Sequence, residues 1–232
     1  MLAVPIHLRP SEPLAERVLL PGDPHRALLV AQALLDQPRM FNHARGLWGY
    51  TGTAADGGLL SIQSTGMGGP SAAIVIEELI DLGARTLVRI GTCAALVEGL
   101  ELGELVSARE VIGADGASRA LGASAPLRPD PGLESALDAR AVTAVSTDLF
   151  YDAREEVEAE WVAAGAEVVE MEAATLLAIA QRRGVAAAVL LAVSDQLAAG
   201  ARQRISREEF EDAGVRLGEA AYAALASAAT AR

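Results

Sequence analysis

Residues 19–35 carry the sequence LLPGDPHRALLVAQALL, which decides the fold class. The short apolar strand predicted over 17–20 passes through a Pro-Gly-Asp-Pro turn into a helix predicted over 24–35. Its first residue, Pro24, stands where a missing backbone N–H costs no hydrogen bond. Because amides at a helix N-terminus attract anions, Gly22 and Arg26 form a candidate anion site. The alternative is a plain strand-to-helix turn with a solvated arginine.

The alternation of strands and helices continues along the chain. Periodicity and turn residues predict further strands over 47–53, 58–65, 85–92, 104–113, 141–148, 166–170 and 185–193. They predict helices over 70–82, 152–164, 171–183 and 206–230, and a loop over 114–130. This order is typical of an α/β protein with a largely parallel or mixed sheet. No repeat or linker divides the chain, so we expect one domain over 1–232.

Composition excludes several classes of protein. The 232 residues are 51% hydrophobic and carry a formal charge of −12, which argues against an extended nucleic-acid surface. A few arginines focused in one pocket are still compatible with a small anion. Cys93 is the sole cysteine, which favours a reducing compartment. With no signal-peptide stretch and no 18-residue apolar span, we expect a cytoplasmic protein that does not contact a membrane.

The segment GMGGPSA, residues 66–72, is a glycine-rich loop before a predicted helix. It departs from the dinucleotide-binding pattern because Ser71 replaces the third glycine, and no Gly-Lys-Ser/Thr follows as in a phosphate loop. It therefore predicts only a loop whose backbone approaches a ligand closely.

Charged residues interrupt two apolar segments. Arg89, in VRIGT, needs a partner if buried, either a structural carboxylate or a phosphate at the carboxyl end of its strand. Glu170 and Glu172 flank Met171 in EVVEMEAATLL. They either cap the following helix or bind the two hydroxyls of a sugar.

Asp195, in LLAVSDQ, follows the most apolar strand. It is either a general acid or base at the tip of that strand, or an ordinary turn or N-cap residue. The histidines do not have metal-ligand spacing, so we expect no metal at His7, His25 and His43.

Seven motifs occur in the order and approximate spacing of the nucleoside phosphorylase family, which the chain resembles over about residues 5–220. They are PGDPHR, RGLWGYTGT, STGMGGPSA, RIGTCAA, STDLFY, VEMEAA and AVSD. The branch is that of hexameric bacterial purine nucleoside phosphorylases and uridine phosphorylases. The resemblance implies a three-layer α/β/α domain whose central mixed, partly barrel-like sheet is flanked by helices. It also implies phosphorolysis of purine (deoxy)ribonucleosides to free base and (deoxy)ribose 1-phosphate, with inorganic phosphate as co-substrate and no cofactor.

The resemblance implies a role for each matching residue. Those expected to bind phosphate are Gly22, Arg26, Arg89, Thr92 and, from a neighbouring subunit, Arg45. Those expected at the ribose are Met171, Glu172 and, across the same interface, His7. Those expected at the base are Cys93, Ala94, Phe150, Val169 and Glu170. Asp195 is expected to protonate purine N7 with help from Arg207, and the short spacing leaves Arg202 and Arg204 as alternatives.

The base preference is less closely defined. FYDAREEVEAEW lacks the Gln-x-Arg pair of uridine phosphorylases, and those enzymes typically lack the Ser-Asp found at 194–195, so both features favour purines. Against this, STGMGGPSAAIVIEEL resembles the uridine enzymes, and 112–141 is shorter than expected in either. A uridine or broad-specificity phosphorylase is therefore the first alternative.

Two further alternatives remain. A nucleosidase would use water as nucleophile, but it would not need the full arginine set. A non-catalytic nucleoside-binding protein on the same fold would need neither those arginines nor the base-side aspartate. If neighbouring subunits supply His7 and Arg45, a dimer is the minimal active unit, and we expect a homohexamer built as a trimer of dimers.

Overall fold

A mixed sheet organises the computed structural model, which describes residues 5–154, 156–198 and 202–230. Ten strands are found in that part of the chain: β1 Arg17–Leu20, β2 Asp36–Asn42, β3 Gly49–Thr53, β4 Leu59–Gln63, β5 Thr86–Ala95, β6 Leu105–Gly113, β7 Arg140–Ser146, β8 Val168–Glu170, β9 Ala186–Gln196 and β10 Gln203–Arg204. The helices are α1 Pro24–Leu34, α2 Gly69–Asp81, α3 Gly116–Ala120, α4 Pro131–Ala136, α5 Val157–Ala163, α6 Ala173–Arg183 and α7 Arg207–Thr230, with a 3-10 helix over Ala44–Gly46.

The sheet closes on itself at β9. This strand pairs in parallel with β5 and antiparallel with β6, and β7 and β8 complete the ring back to β5. From β5 the sheet extends outwards through β1 and β4 in parallel, then β3 and β2 antiparallel. The predicted mixed, partly barrel-like sheet is therefore confirmed.

Two apolar layers cover the sheet, and β9 contributes to both. Leu191 packs in the cluster that contains α2 and α6, whereas its neighbour Leu190 packs in the cluster that contains α1 and α7. Because successive strand residues point to opposite faces, a strand covered on both faces is apolar without interruption. This explains the continuous apolar run at 185–193 and confirms the three-layer arrangement.

Most predicted elements are found, and the first are the closest match. The strand over 17–20 is β1, and α1 starts at Pro24 as predicted, with the Asp23 side chain accepting from the His25 amide at 2.9 Å. The predicted helix over 152–164 begins only at Val157. The loop predicted over 114–130 contains α3 and a bridge between Val111 and Leu127.

The edge strand β2 was not predicted. Its sequence, DQPRMFN, contains Pro38, and Gln37 has a left-handed φ of 46°. Register shifts interrupt its pairing with β3, so its side chains show no regular alternation. Within the described residues, no helix is long and apolar enough to cross a membrane.

Candidate active site

The glycine turn after β1 and the glycine-rich loop after β4 form one wall of a site. The Thr65 amide donates to the carbonyl of Pro21 at 2.9 Å, and the Gly66 amide donates to that of Gly22 at 3.1 Å. A Cβ added at Gly22 would lie 3.3 Å from the Gly66 carbonyl oxygen, so a side chain there would crowd this contact. These loops follow parallel strands, and ligands bind at that edge of α/β sheets.

Arg26 extends from the first turn of α1 into the interior behind this wall. Its side chain is buried, and Nη1 donates to the Ile90 carbonyl at 3.3 Å. Its guanidinium carbon lies 5.0 Å from the centre of the Phe210 ring, a cation–π contact with α7. Burial, together with the charge of Arg89, lowers the pKa of Arg26 to about 10. The guanidinium is therefore a buried cation whose charge is only partly compensated.

Arg89 lies on β5 and is also buried. Its Nε donates to Oε2 of Glu170 at 2.9 Å, and its Nη2 pairs with Glu172. Burial lowers the pKa of Arg89, but the charges of Glu172 and Glu170 outweigh burial, so the pKa is raised overall. Among the described residues, Nη1 has no hydrogen-bond partner.

Gly91 makes room for this arginine. A Cβ added at Gly91 would lie 2.6 Å from Nη2 of Arg89, a distance that real Cβ contacts essentially never show. Packing of the Arg89 side chain therefore explains why a glycine follows Ile90, which the sequence pattern alone did not reveal.

Glu170 positions the surrounding groups. Its carboxylate accepts from the Ser146 hydroxyl and from the amides of Glu172 and Ala173, at 2.8 and 2.9 Å. It thus caps the N-terminus of α6 while it holds Arg89, so the capping interpretation applies to Glu170. Ser146, at the end of β7, was not predicted as part of the site.

Glu172 faces the glycine-rich loop. Its carboxylate accepts from the Gly68 amide and pairs with Arg89. Burial, reinforced by the charge of Glu170, raises the pKa of Glu172 despite the nearby arginines. The half-buried Met171 lies between the two acids in the chain.

A β-bulge on β9 determines where Asp195 lies. Cys93 pairs with Val193, but Ala94 pairs with Asp195, so Ser194 is an extra residue. The bulge shifts the register by one, which places Asp195 beside Ala94. Oδ2 of the buried carboxylate accepts from the Ser194 hydroxyl at 2.8 Å.

The arginine that contacts Asp195 is Arg202. Its Nε donates to Oδ1 of Asp195 at 2.7 Å, and Nε of Arg204 lies 3.9 Å from the same oxygen. Arg207, the first choice from the sequence, instead pairs with Glu211 one turn along α7, and its side chain is 91% exposed. The short strand β10, which pairs with the end of β9, brings the nearer arginines to the aspartate.

The residues predicted at the base lie around this aspartate. The exposed Phe150 ring lies 4.5 Å from the guanidinium carbon of Arg202. Ala94 pairs with Val169 on β8. The Cys93 thiol is buried, and burial raises its pKa.

His7 and Arg45, the two residues expected to serve a neighbouring subunit, make none of the contacts described above for Arg26, Arg89 and Asp195. Nδ1 of His7 lies 2.7 Å from Oε1 of Glu78, whose carboxylate also accepts from the amides of Ile6, His7 and Leu8. Burial opposes ionisation of Glu78, but these hydrogen bonds outweigh it and lower its pKa.

Arg45 is exposed and has a left-handed φ of 59°. Thr92 is half-buried on β5.

Glu78 was not predicted as part of the site. A carboxylate within the apolar AAIVIEELI segment was the one signal that pointed to it. Its contacts fix the backbone on both sides of His7.

Comparison with known proteins agrees with the resemblance seen in the motifs. The family model described as "Phosphorylase superfamily" matches residues 16–230. A protein named "Purine nucleoside phosphorylase DeoD-type" from Clostridium perfringens (strain SM101 / Type A) is 37% identical over 205 residues, covering 83% of this chain and 87% of the relative. Proteins of the same name from Caldanaerobacter subterraneus subsp. tengcongensis and Geobacillus kaustophilus are 38% and 34% identical, covering 84% and 81% of this chain and 89% and 84% of the relatives. The chain belongs to the phosphorylase superfamily.

Proposed function

We propose that the protein cleaves purine (deoxy)ribonucleosides with inorganic phosphate, giving the free purine and (deoxy)ribose 1-phosphate. The observation that carries the proposal is Nη1 of the buried Arg89, which is unpaired within the described part of the chain and lies near the partly compensated Arg26. Buried donors are nearly always paired in folded proteins, so this one points to an absent acceptor. A phosphate dianion would accept from both guanidiniums and from the amides of the turn at Gly22.

The sugar would bind beside the phosphate, on Glu172 and Met171. Burial, together with the charge of Glu170, raises the pKa of Glu172, so further hydrogen-bond donors would stabilise its carboxylate. Ribose hydroxyls supply such donors. Because Arg89 contacts Glu172, phosphate held by this arginine would lie close to the sugar.

Asp195 would serve the leaving group. A phosphate oxygen forms a bond to C1′ while the C1′–N9 bond breaks, and the bonding electron pair passes into the purine ring. Asp195 would pass a proton to N7, which neutralises that charge. The phosphate, the sugar and the base are held in line, which supplies the entropic part of catalysis.

The assembly belongs to the same proposal. Arg45 and His7 would complete the phosphate and ribose sites of a neighbouring subunit, in a hexamer built as a trimer of dimers. The left-handed backbone of the non-glycine Arg45 supports a functional role, since such strain collects at ligand-binding sites. We further propose that the enzyme acts in the cytoplasm and needs no metal or cofactor, so a chelator should leave its activity unchanged.

The test is base release from inosine, adenosine and uridine, each with and without phosphate. Phosphate-dependent release from the purine nucleosides, lost in Arg89→Met but kept in Arg128→Gln, is expected. Arg128 is a suitable control because it is an exposed arginine paired with Glu110. Preference for uridine would contradict the base assignment, and release without phosphate would make the protein a hydrolase. Tight nucleoside binding without turnover would indicate a binding protein.

A further inference from the structure

The guanidinium of Arg202 lies between an aromatic ring and a carboxylate. Its carbon is 4.5 Å from the centre of the Phe150 ring, and its Nε donates to Oδ1 of Asp195 at 2.7 Å. The ring lies in the loop after β7 and the carboxylate lies near the end of β9, so one side chain bridges this loop and that strand.

Pairing with β9 fixes the backbone that follows Arg202. Gln203 pairs with Gln196 and Arg204 with Asp195, and the Ile205 amide donates to the Ser194 carbonyl at 3.0 Å. The side chain of Arg202 is 38% exposed. It can therefore leave the Phe150 ring for solvent by side-chain rotation, with β10 still in place.

Both contacts of Arg202 are ones that a purine would need. A base that stacks on Phe150 must have access to the face of its ring, and a base protonated by Asp195 must reach the carboxylate. Oδ2 of Asp195 is already bonded to Ser194 and Oδ1 to Arg202. A guanidinium is flat and stacks on aromatic faces, so it satisfies the same pair of groups as a heterocycle does.

We propose that Arg202 occupies the base subsite of the unliganded protein and that the incoming nucleoside must displace it. The inference rests on the proposed function for the position of the base between Phe150 and Asp195. Arg202 then acts as a built-in competitor that sets the affinity for the nucleoside and the free base. It has no such effect on phosphate, whose arginines lie elsewhere on α1 and β5.

The variant Arg202→Ala removes the competitor. Hypoxanthine should bind tighter by calorimetry and the KM for inosine should fall, both on the order of 3- to 10-fold, as expected for one exposed cation–π contact and one partly exposed ion pair. The KM for phosphate should not change, and Arg128→Ala should match wild type throughout. Unchanged or weaker hypoxanthine binding in Arg202→Ala overturns the proposal, because Arg202 would then be a bystander or a base contact.

A second measurement supplies the guanidinium that Arg202→Ala lacks as a small molecule in solution. Methylguanidinium should weaken hypoxanthine binding to Arg202→Ala more than to wild type, with sodium chloride at equal ionic strength as control. Equal effects on both proteins contradict the displacement. Because binding of hypoxanthine needs no turnover, a wild type that binds it without cleaving inosine refutes the proposed function alone. If wild type binds neither hypoxanthine nor adenine, both proposals fail.

Discussion

Nε of Arg89 donates to Oε2 of Glu170 at 2.9 Å, and both side chains are buried. Glu170 is itself held by the amides of Glu172 and Ala173 at the start of α6, so it fixes one edge of the guanidinium. Glu172 holds Nη2, and Nη1 has no hydrogen-bond partner among the described residues, so it is available to the proposed phosphate. The acid thus orients the arginine for its proposed ligand.

Replacement of Glu170 tests this arrangement. Glu170→Gln should destabilise the protein by about 3 kcal/mol, because it breaks a buried ion pair and turns an amide N–H₂ towards backbone donors. Urea unfolding measures the change. A loss of stability below about 0.5 kcal/mol, the range of ordinary surface substitutions, would contradict the structural role of Glu170.

Arg26 should lower the stability of the phosphate-free protein. Its pKa is lowered to about 10, so the fold disfavours its charged form. Arg26→Met should therefore raise the free energy of unfolding by roughly 1–3 kcal/mol at neutral pH. Above about pH 10 the folded wild type loses this proton before the unfolded chain does, so wild-type stability rises and the advantage shrinks.

Phosphate provides the matched readout for the same variant. It should raise the Tm of wild type, because a ligand that binds only the folded state stabilises it, and it should not affect Arg26→Met. A variant that keeps the phosphate-dependent rise in Tm would show that Arg26 is not a phosphate ligand.

Glu172 has a raised pKa, so the sign of its effect on stability is opposite to that of a salt-bridged surface acid. Between the unfolded and folded pKa values the native state binds the extra proton, and wild-type stability falls as pH rises through that window. The stability of wild type relative to Glu172→Gln should therefore fall as pH rises from the ordinary glutamate pKa of about 4.3 towards neutral, because glutamine does not titrate. Its kcat/KM should fall on the order of 10- to 100-fold, the cost of one charged hydrogen bond to the substrate. Urea titrations across pH, together with nucleoside kinetics, test both parts, and a stability difference between the two proteins that stays constant from acid to neutral pH would contradict the first.

Glu78 should hold His7 in place. Its lowered pKa means that its stabilising contribution is present at neutral pH and is lost as pH falls through the folded pKa. Glu78→Gln should cost about 1–2 kcal/mol at pH 7 and nothing in acid. It should also raise the KM for nucleosides in the same direction as His7→Ala. Independent effects, additive in the double variant, would show that the contact does not position His7.

The sequence predicted the fold well where local patterns were strong. Leu190 and Leu191 belong to a continuous apolar run that marks a strand covered on both faces. The edge strand β2 escaped prediction because Pro38 and the left-handed Gln37 break its alternation. The helix α3 is a single turn whose main N-terminal signal is the capping Asp115, too little for periodicity to detect.

The sequence predicted which residues belong to the candidate site more accurately than it predicted which residues they contact. Arg89 was expected to meet either a carboxylate or a phosphate. It contacts two carboxylates, and one of its donors has no partner in the part of the chain that the structure describes. The contact between Arg202 and Asp195 depends on β10, whose pairing over Gln203–Arg204 is too short to leave a sequence pattern. The bulge at Ser194 is likewise set by pairing between distant strands.

The central claim is that phosphate, held by Arg26 and Arg89, is the nucleophile. The most direct measurement is reaction of inosine with phosphate labelled with ¹⁸O at every oxygen, followed by mass spectrometry of the sugar product. The expected product is ribose 1-phosphate that carries all of the label and forms at the same rate as hypoxanthine. Hypoxanthine released together with free, unlabelled ribose would contradict it, because water would then have attacked C1′.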